Sequence, residues 1–278
     1  MQLSYCGEQV RRHDNDRYLT ALLAPSGRRE ALFSLYAFNI EVAKTREAVS
    51  EPMVGQIRLQ WWRDAIDTIY AGKPPDHVVI DRLAEAIEDH GLSRAYFDTL
   101  INAREFDLDE TPPATLDDLI RYVKGTSSTL VRLAVEILDG ADSSADEAAI
   151  DVGVAWGLTG LLRSLVFHAR ARRQYLPADL MTKSGAVVSD LFELRASAAL
   201  AQVAEEIAEA ATHSIYTARS RRTGVPGAAR PALFQATLAE MYLQRIRRAR
   251  YDLFARPVVI SQPARQLRLL RASLFGRY

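Results

Sequence analysis

The segment Ala31-Leu-Phe-Ser-Leu-Tyr-Ala-Phe38 decides the fold class of this 278-residue chain, because its apolar residues recur at spacings of three and four. The same spacing continues on both sides of the segment, and Ser26 is therefore expected to cap a helix that runs to about residue 49. One face of that helix carries Leu32, Leu35, Tyr36, Asn39 and Ala43. The helical period predicts an α-helix here rather than a strand.

The rest of the chain repeats this pattern between prolines and glycines that end each helix. Helices are predicted over 53–70, 77–90, 93–108, 116–138, 144–173, 189–220, 229–254 and 264–274. Ser144-Ala-Asp-Glu147 has the form of a capping box at the start of the helix over 144–173. Long helices joined by short polar loops predict an all-α helical bundle, with residues 1–278 in a single domain.

Composition excludes several classes of function. Lys and Arg together number 35, as do Asp and Glu, so the chain has no bulk affinity for nucleic acid. Cys6 is the only cysteine, and the five histidines are scattered without the spacing of a zinc site. Residues 1–10 have no apolar core of the kind expected in a signal peptide, and no apolar run approaches roughly 20 residues. These features predict a cytoplasmic protein and leave peripheral attachment to the inner membrane open.

Charge is distributed unevenly along the chain. Residues 214–278 hold thirteen arginines and no lysine, against only Glu240 and Asp252, which leaves a net charge of +11. The amphipathic segment 264–275 adds leucines beside its arginines. The residues expected to contact an anionic membrane or an acidic partner are Arg245, Arg247, Arg248, Arg250, Arg265, Arg268 and Arg271. The alternative is that these arginines pair with acidic residues of the earlier helices.

Three motifs follow one another in a recognisable order. They are Ala31-Leu-Phe-Ser-Leu-Tyr-Ala-Phe38, Tyr122-Val-Lys-Gly-Thr-Ser127, and Gly157-Leu-Thr-Gly-Leu-Leu-Arg163 followed by Arg173-Gln-Tyr-Leu-Pro177. Together they resemble the squalene/phytoene synthase family over most of the chain. The resemblance implies the isoprenoid synthase fold, a helical bundle with a central cavity. In that family two prenyl diphosphates are joined, and aspartates of two helices hold the magnesium that neutralises the departing diphosphate.

The acidic motifs of that family are largely missing from this chain. The first motif aligns with residues 43–47 and retains only Glu47, next to Lys44 and Arg46, and the second aligns with residues 164–168 and has no carboxylate. The degenerate positions, expected to face each other across the cavity, are Ala43, Glu47, Ser164 and His168. The resemblance therefore implies neither catalytic residues nor a bound cofactor.

Two further segments, Arg58-Leu-Gln-Trp-Trp62 and Tyr251-Asp-Leu-Phe254, resemble a non-catalytic branch, the complex I assembly factor 6 family. This resemblance implies a role in building NADH:ubiquinone oxidoreductase, with a complex I subunit or another assembly protein as partner and an isoprenoid lipid as a ligand. The Ala/Arg/Asp-rich composition is typical of a bacterial chain. The alternatives are an active prenyltransferase that uses magnesium through unusual ligands, and a carrier of a polyprenyl lipid or quinone.

Several residues are candidates for contact with a lipid or a diphosphate in the cavity. They are Tyr36, Asn39, Tyr122, Gly125, Arg163, Arg173 and Tyr175. Arg163 is the preferred diphosphate ligand because a guanidinium matches phosphate oxygens, although salt bridges inside the bundle explain such arginines equally well. Trp61 and Trp62 face about 100° apart on a helix, which places one in the core and the other at a helix contact. Alternatively, they line a lipid pocket.

Overall fold

The computed structural model of the chain describes residues 3–49, 51–141, 143–255 and 257–278. Within them the chain forms sixteen α-helices and no β-strand, which confirms the predicted all-α class. The helices are α1 (Tyr5–His13), α2 (Asn15–Ala21), α3 (Ser26–Ala43), α4 (Pro52–Tyr70), α5 (Val78–His90), α6 (Arg94–Ala103), α7 (Leu116–Val123), α8 (Thr129–Asp139), α9 (Asp146–Arg163), α10 (Leu165–Arg170), α11 (Ala178–Ser184), α12 (Val188–Phe192), α13 (Ala198–Ser220), α14 (Arg230–Leu233), α15 (Gln235–Arg248) and α16 (Gln262–Leu274).

Helix α9 is the central element of the bundle. It packs most extensively against α13 and also contacts α7, α8, α14 and α15. On the other side of α8, α3 packs against α1 and α5. The buried apolar side chains form one cluster that extends from Cys6 to Tyr278. No helix among the described residues is long and apolar enough to cross a membrane.

A π-helical turn, Lys124–Ser128, joins α7 to α8 and lies against α9. The glycines of α9 make this contact possible. A Cβ on Gly153 would lie 2.1 Å from the Cα of Ser128, and one on Gly157 would lie 2.7 Å from the Cβ of Val123. A Cβ on Gly160, one turn further, would meet nothing within 4 Å. The first two glycines therefore set the distance between α9 and the π-helical turn.

Several predicted helix boundaries are wrong. Helix α3 ends at Ala43, about six residues early, and Ser26 is its first residue, with Pro25 at the cap position and no capping side chain. The capping box at Ser144 does not form, because the Ser144 hydroxyl donates a hydrogen bond to the Gly224 carbonyl 2.7 Å away. The long helix predicted over 144–173 breaks at Ser164, between α9 and α10.

Other predicted helices are interrupted, and some observed ones were not predicted. The helix over 93–108 ends in a 3-10 turn, Arg104–Leu108, and the helix over 116–138 contains the π-helical turn. The segments 189–220 and 229–254 each divide into two helices. Helices α1, α2 and α11 were not predicted. Hydrophobic spacing indicates helical segments, but it does not reveal where packing interrupts a helix for one or two residues.

We expect Gly153→Ala to lower the free energy of unfolding by about 1–3 kcal/mol, because the added methyl group meets backbone atoms that cannot rotate away. Gly160→Ala is the matched control in the same helix. With no neighbour for its Cβ, it should leave stability unchanged or raise it by up to about 1 kcal/mol. Chemical denaturation of both variants checks this, and equal stabilities would contradict the proposed contact.

Candidate functional site

The main cavity has a volume of about 920 Å³. Three segments of the chain border its opening. They are residues 43–49 at the end of α3 and just after it, the 3-10 turn Arg104–Leu108, and α10 with the loop that follows it. Four arginines and four carboxylates contribute to its wall, so no single sign of charge dominates. They are Arg46, Arg104, Arg172, Arg173, Glu47, Asp107, Asp109 and Glu110.

Asp107 is the buried polar centre of this wall. Its Oδ1 accepts hydrogen bonds from the hydroxyls of Tyr122 at 2.8 Å and Tyr175 at 2.7 Å, and Arg104 donates to Oδ2 at 3.2 Å. Arg104 also donates to the Tyr122 hydroxyl at 3.1 Å. Burial raises the pKa of both tyrosines, so the hydroxyls keep their protons and remain donors. The cluster therefore holds a buried carboxylate by charge-assisted hydrogen bonds.

Arg173 closes the same side of the cavity by binding backbone atoms. Its guanidinium donates to the carbonyls of Phe106 at 2.5 Å and Asp109 at 2.8 Å, and it lies 3.9 Å from the Asp107 carboxylate. These contacts tie the loop after α10 to the 3-10 turn. Arg172, the preceding residue, has a left-handed backbone with φ of 54° and an exposed side chain. Among the described residues Arg172 has no ion pair, so its guanidinium is available to a ligand at the cavity.

His168 lies in α10 with its ring centroid 4.6 Å from that of Tyr175. Burial lowers the pKa of His168 to about 4, although the nearby Asp107 partly offsets this effect by raising the pKa. The ring is therefore neutral at pH 7. A neutral imidazole donates one hydrogen bond and accepts another. It does not supply the negative charge that a magnesium carboxylate ligand supplies.

Three of the four degenerate motif positions line this cavity, namely Ala43, Glu47 and His168. Ser164 does not contribute to the cavity wall. It lies in the break between α9 and α10, where its carbonyl accepts a hydrogen bond from the His168 amide at 2.9 Å. Glu47 lies beyond the end of α3, in a turn, so it does not project from a helix face as the aligned motif implies.

The pocket candidates fall into two groups. Tyr122, Arg173 and Tyr175 line the cavity. Tyr36 and Asn39 are instead buried in the core side of α3, and Gly125 is in the π-helical turn, where a Cβ would lie 2.7 Å from that of Ala103. These last three are therefore packing residues rather than parts of the cavity wall.

Arg163, the preferred diphosphate ligand, does not line the cavity either. Its guanidinium donates to the buried carboxylate of Asp16 at 3.1 Å and lies 3.5 Å from the ring centroid of Tyr242. The Tyr242 hydroxyl donates to the same carboxylate at 3.0 Å. The internal salt bridge was the alternative for this residue, and the prediction of a cavity ligand is wrong because Asp16 offers Arg163 a partner inside the bundle.

Sequence reasoning missed Asp107 and Arg104, the centre of the cavity wall. The available signal was helical spacing: Leu100, Arg104 and Asp107 lie at i, i+4 and i+7, and Leu100 is fully buried. A charged pair on the buried face of a helix is unusual enough to mark a polar site. The helix becomes a 3-10 turn at Arg104, yet the pair stays on the inner side.

The C-terminal arginines also divide into two groups. Arg265 donates to Asp16 at 2.5 Å, and Arg268 donates to Glu240 at 3.0 Å. The predicted surface role of Arg265 is therefore wrong, because its guanidinium pairs with the buried carboxylate of Asp16. Arg268 is exposed and pairs with Glu240. Of the seven arginines predicted to contact an anionic surface, the other five are exposed and have no ion pair among the described residues: Arg245, Arg247, Arg248, Arg250 and Arg271.

The cavity wall does not fit the magnesium ions of the resembled synthases. Glu47 is the one carboxylate at the aligned positions, and Arg46 next to it also lines the wall. Within the described ranges, no three His, Cys, Asp or Glu side chains come together as a metal site. Octahedral magnesium requires oxygen ligands that these positions do not provide.

Comparison with known proteins identifies the family and the fold of this chain. The profile of the squalene/phytoene synthase family matches residues 10–265. The chain belongs to the squalene/phytoene synthase family. A solved dehydrosqualene synthase in complex with ligand superposes with a TM-score of 0.86 over 98% of this chain and 95% of that one, at 22% identity. A squalene synthase from Alicyclobacillus acidocaldarius gives a TM-score of 0.79 over 88% of this chain and 93% of that one, at 21% identity.

Two curated relatives represent two branches of the family. The chain is 34% identical to "NADH dehydrogenase (ubiquinone) complex I, assembly factor 6" of Bos taurus, over 90% of this chain and 75% of that protein. It is 30% identical to presqualene diphosphate synthase of Rhodopseudomonas palustris, over 70% of this chain and 69% of that protein. The family assignment and the isoprenoid synthase-like fold are thus confirmed.

The neutral state of His168 predicts a specific pH dependence of stability. Because the pKa of His168 is lower in the folded chain than in the unfolded chain, the unfolded state binds more protons as the pH falls below about 6.5. The free energy of unfolding should therefore drop by about 1–3 kcal/mol between pH 7 and pH 4 on account of this residue. Urea denaturation across that range measures the loss.

His168→Gln should reduce this slope, because glutamine does not titrate. His213→Gln, at an exposed histidine of α13, is the control and should keep the wild-type slope. A wild-type slope in the His168→Gln variant would show that the ring is not held neutral by burial.

Proposed function

We propose that this chain is a non-catalytic member of the squalene/phytoene synthase family that serves in the assembly of respiratory complex I. The observation that carries the proposal is the cavity wall, where Ala43 and His168 occupy positions aligned with metal-binding carboxylates and Glu47 remains alone. The relatives named complex I assembly factor 6, at 34% identity in Bos taurus, support the biological role.

The cavity supports a second part of the proposal, the binding of an isoprenoid lipid without its conversion. Arg46 and Arg172 lie in the wall and have no carboxylate partner among the described residues. Guanidinium groups can bind phosphate oxygens directly, without a metal. Catalysis requires more than binding, because the negative charge that develops on the departing diphosphate must be neutralised as its bond to carbon breaks.

Deletion of the gene in its host is expected to lower the amount of assembled complex I, measured as NADH:ubiquinone oxidoreductase activity of isolated membranes. The wild-type chain and Glu47→Gln should restore it equally, because the proposed function needs no carboxylate at the aligned position. Gly153→Leu, which disrupts the contact of α9, is the negative control. Failure of Glu47→Gln to restore activity would contradict a non-catalytic role.

The alternatives are an active prenyltransferase of the squalene/phytoene synthase type and a carrier of a polyprenyl lipid. The purified chain, incubated with magnesium and farnesyl or geranylgeranyl diphosphate, should return the substrate unchanged. Turnover that stops on chelation and resumes with magnesium would support the prenyltransferase and refute the proposal. Normal complex I in the deletion strain, with binding of a prenyl diphosphate, would favour the carrier.

We also infer peripheral contact with an anionic membrane through the C-terminal helices. Four exposed arginines lie in the last turn of α15 and just after it, namely Arg245, Arg247, Arg248 and Arg250. On α16 the buried residues Leu269 and Ala272 face inward, whereas Leu267, Leu270 and Leu274 are exposed. Leucines beside arginines on one exposed surface are typical of helices that insert shallowly into a charged leaflet.

Substitution of these four arginines by glutamine should lower binding to anionic liposomes by about two to three orders of magnitude, because each contributes about 1 kcal/mol. The control replaces the same number of exposed arginines on α1, α5 and α7, namely Arg11, Arg12, Arg82 and Arg121. Co-sedimentation measures both, and wild-type binding should weaken with added salt. Equal binding to neutral liposomes would exclude this contact.

A further inference from the structure

A second apolar site lies on α4, outside the main cavity. Met53, Ile57 and Trp61, spaced four residues apart, are 69%, 63% and 43% exposed. Beside them is a groove of about 560 Å³, whose apolar wall comes from Val49, Val54 and Ile57. Large apolar side chains in a contiguous exposed row mark a binding surface more often than a solvent face.

Three aromatic rings form one side of the groove. The centroids of Trp61 and Trp62 lie 4.8 Å apart, and His77 lies 5.7 Å from each of them. Trp62 is the core residue of the predicted pair, with 2% exposure, whereas Trp61 stays at the rim of the groove. A planar molecule can stack against the exposed Trp61 face with its edge toward the other two rings.

The buried side-chain polar atoms of the groove that lack a partner among the described residues are both hydrogen-bond donors. The indole Nε1 of Trp62 and the Nε of Arg58 are buried and have no partner among the described residues. His77 uses Nδ1 to accept a hydrogen bond from the Val79 amide at 3.3 Å, so the proton of the neutral ring is on Nε2. A ligand that satisfies these groups must bring acceptors.

The groove carries no net charge that would select an ion. Arg58 forms a salt bridge with Glu41 at 2.9 Å, and both residues line the groove. The pair neutralises itself, so neither a phosphate nor an ammonium group finds an unpaired opposite charge here. An uncharged acceptor such as a carbonyl oxygen matches the donors without adding charge.

We propose that this groove binds an uncharged planar molecule with carbonyl oxygens, of the quinone class. Its ring would stack on Trp61, a carbonyl oxygen would accept from the donors of Trp62, Arg58 or His77, and an apolar substituent would lie along Val54 and Ile57. The site is separate from the cavity of the proposed function, although Val49 lines both. Its ligand therefore does not depend on prenyl diphosphate binding.

The test uses 2,3-dimethyl-1,4-naphthoquinone, whose blocked ring positions prevent reaction with Cys6. In a Trp156→Phe background, Trp61 and Trp62 are the only tryptophans left in the sequence, so saturable quenching of emission reports on the groove. Isothermal titration gives the affinity independently. The matched control ligand is 2,3-dimethylnaphthalene, which has the same ring without oxygens and should bind at least about tenfold more weakly because the buried donors stay unpaired.

Variants assign the binding to the groove. Ile57→Glu places a charge on its apolar wall at an exposed position and should lower quinone affinity at least about tenfold. Val259→Glu, at an apolar side chain that is also 63% exposed but lies outside the groove, is the control and should leave quinone affinity unchanged. Trp62→Phe keeps a ring but removes the donor and should weaken binding about five- to tenfold by titration calorimetry.

Three results would overturn the proposal: no saturable binding, equal affinity for the hydrocarbon and the quinone, or unchanged affinity in Ile57→Glu. Restoration of complex I in the deletion strain by Ile57→Glu is a separate readout. It would leave the assembly function in place even if quinone binding is absent.

Discussion

The structure depends on how closely α9 approaches the π-helical turn Lys124–Ser128. There is no room for a side chain at Gly153, where a Cβ would lie 2.1 Å from a backbone atom. Because α9 also packs against α8, α13 and α15, this one distance sets the position of the elements around it. The last residue of the same helix, Arg163, forms its ion pair with Asp16. Helix α10 begins two residues later and places His168 at the cavity. The contact that forms the core therefore also determines which side chains reach the cavity.

One side of the cavity wall is held together by a buried network of hydrogen bonds around Asp107. Two tyrosines and Arg104 surround Asp107, and removal of Arg104 would leave the buried Asp107 without its nearest cationic partner, which costs more than the pair contributes. Burial keeps His168 neutral beside this cluster. Arg46 and Arg172 are the guanidinium groups of the wall that have no carboxylate partner among the described residues.

Local spacing predicted the helical class, because a period of three and four residues is a property of each segment alone. The order of the Tyr36 and Tyr175 motifs also predicted the family and, through it, the cavity. Tertiary packing decided the rest. Helix α3 ends at Ala43 although its sequence continues in a helical pattern, and Arg163 binds Asp16, a residue 147 positions away. A sequence pattern does not reveal a partner at that distance, and two of the partners of Asp107, Tyr122 and Tyr175, likewise come from other segments of the chain.

The arginine-rich C-terminus shows how internal pairing can determine an external surface. Arg265 and Arg268 form ion pairs with Asp16 and Glu240, and Leu269 and Ala272, which follow them on the same side of α16, are buried. With those residues fixed inward, the helical period of α16 forces Leu267, Leu270 and Leu274 to the opposite side, about 180° away. Burial of these leucines instead would break both ion pairs and leave the buried carboxylate of Asp16 with fewer donors. The exposed leucines are therefore a consequence of how α16 is anchored, and a partner that covers them gains apolar contact without disturbing the bundle.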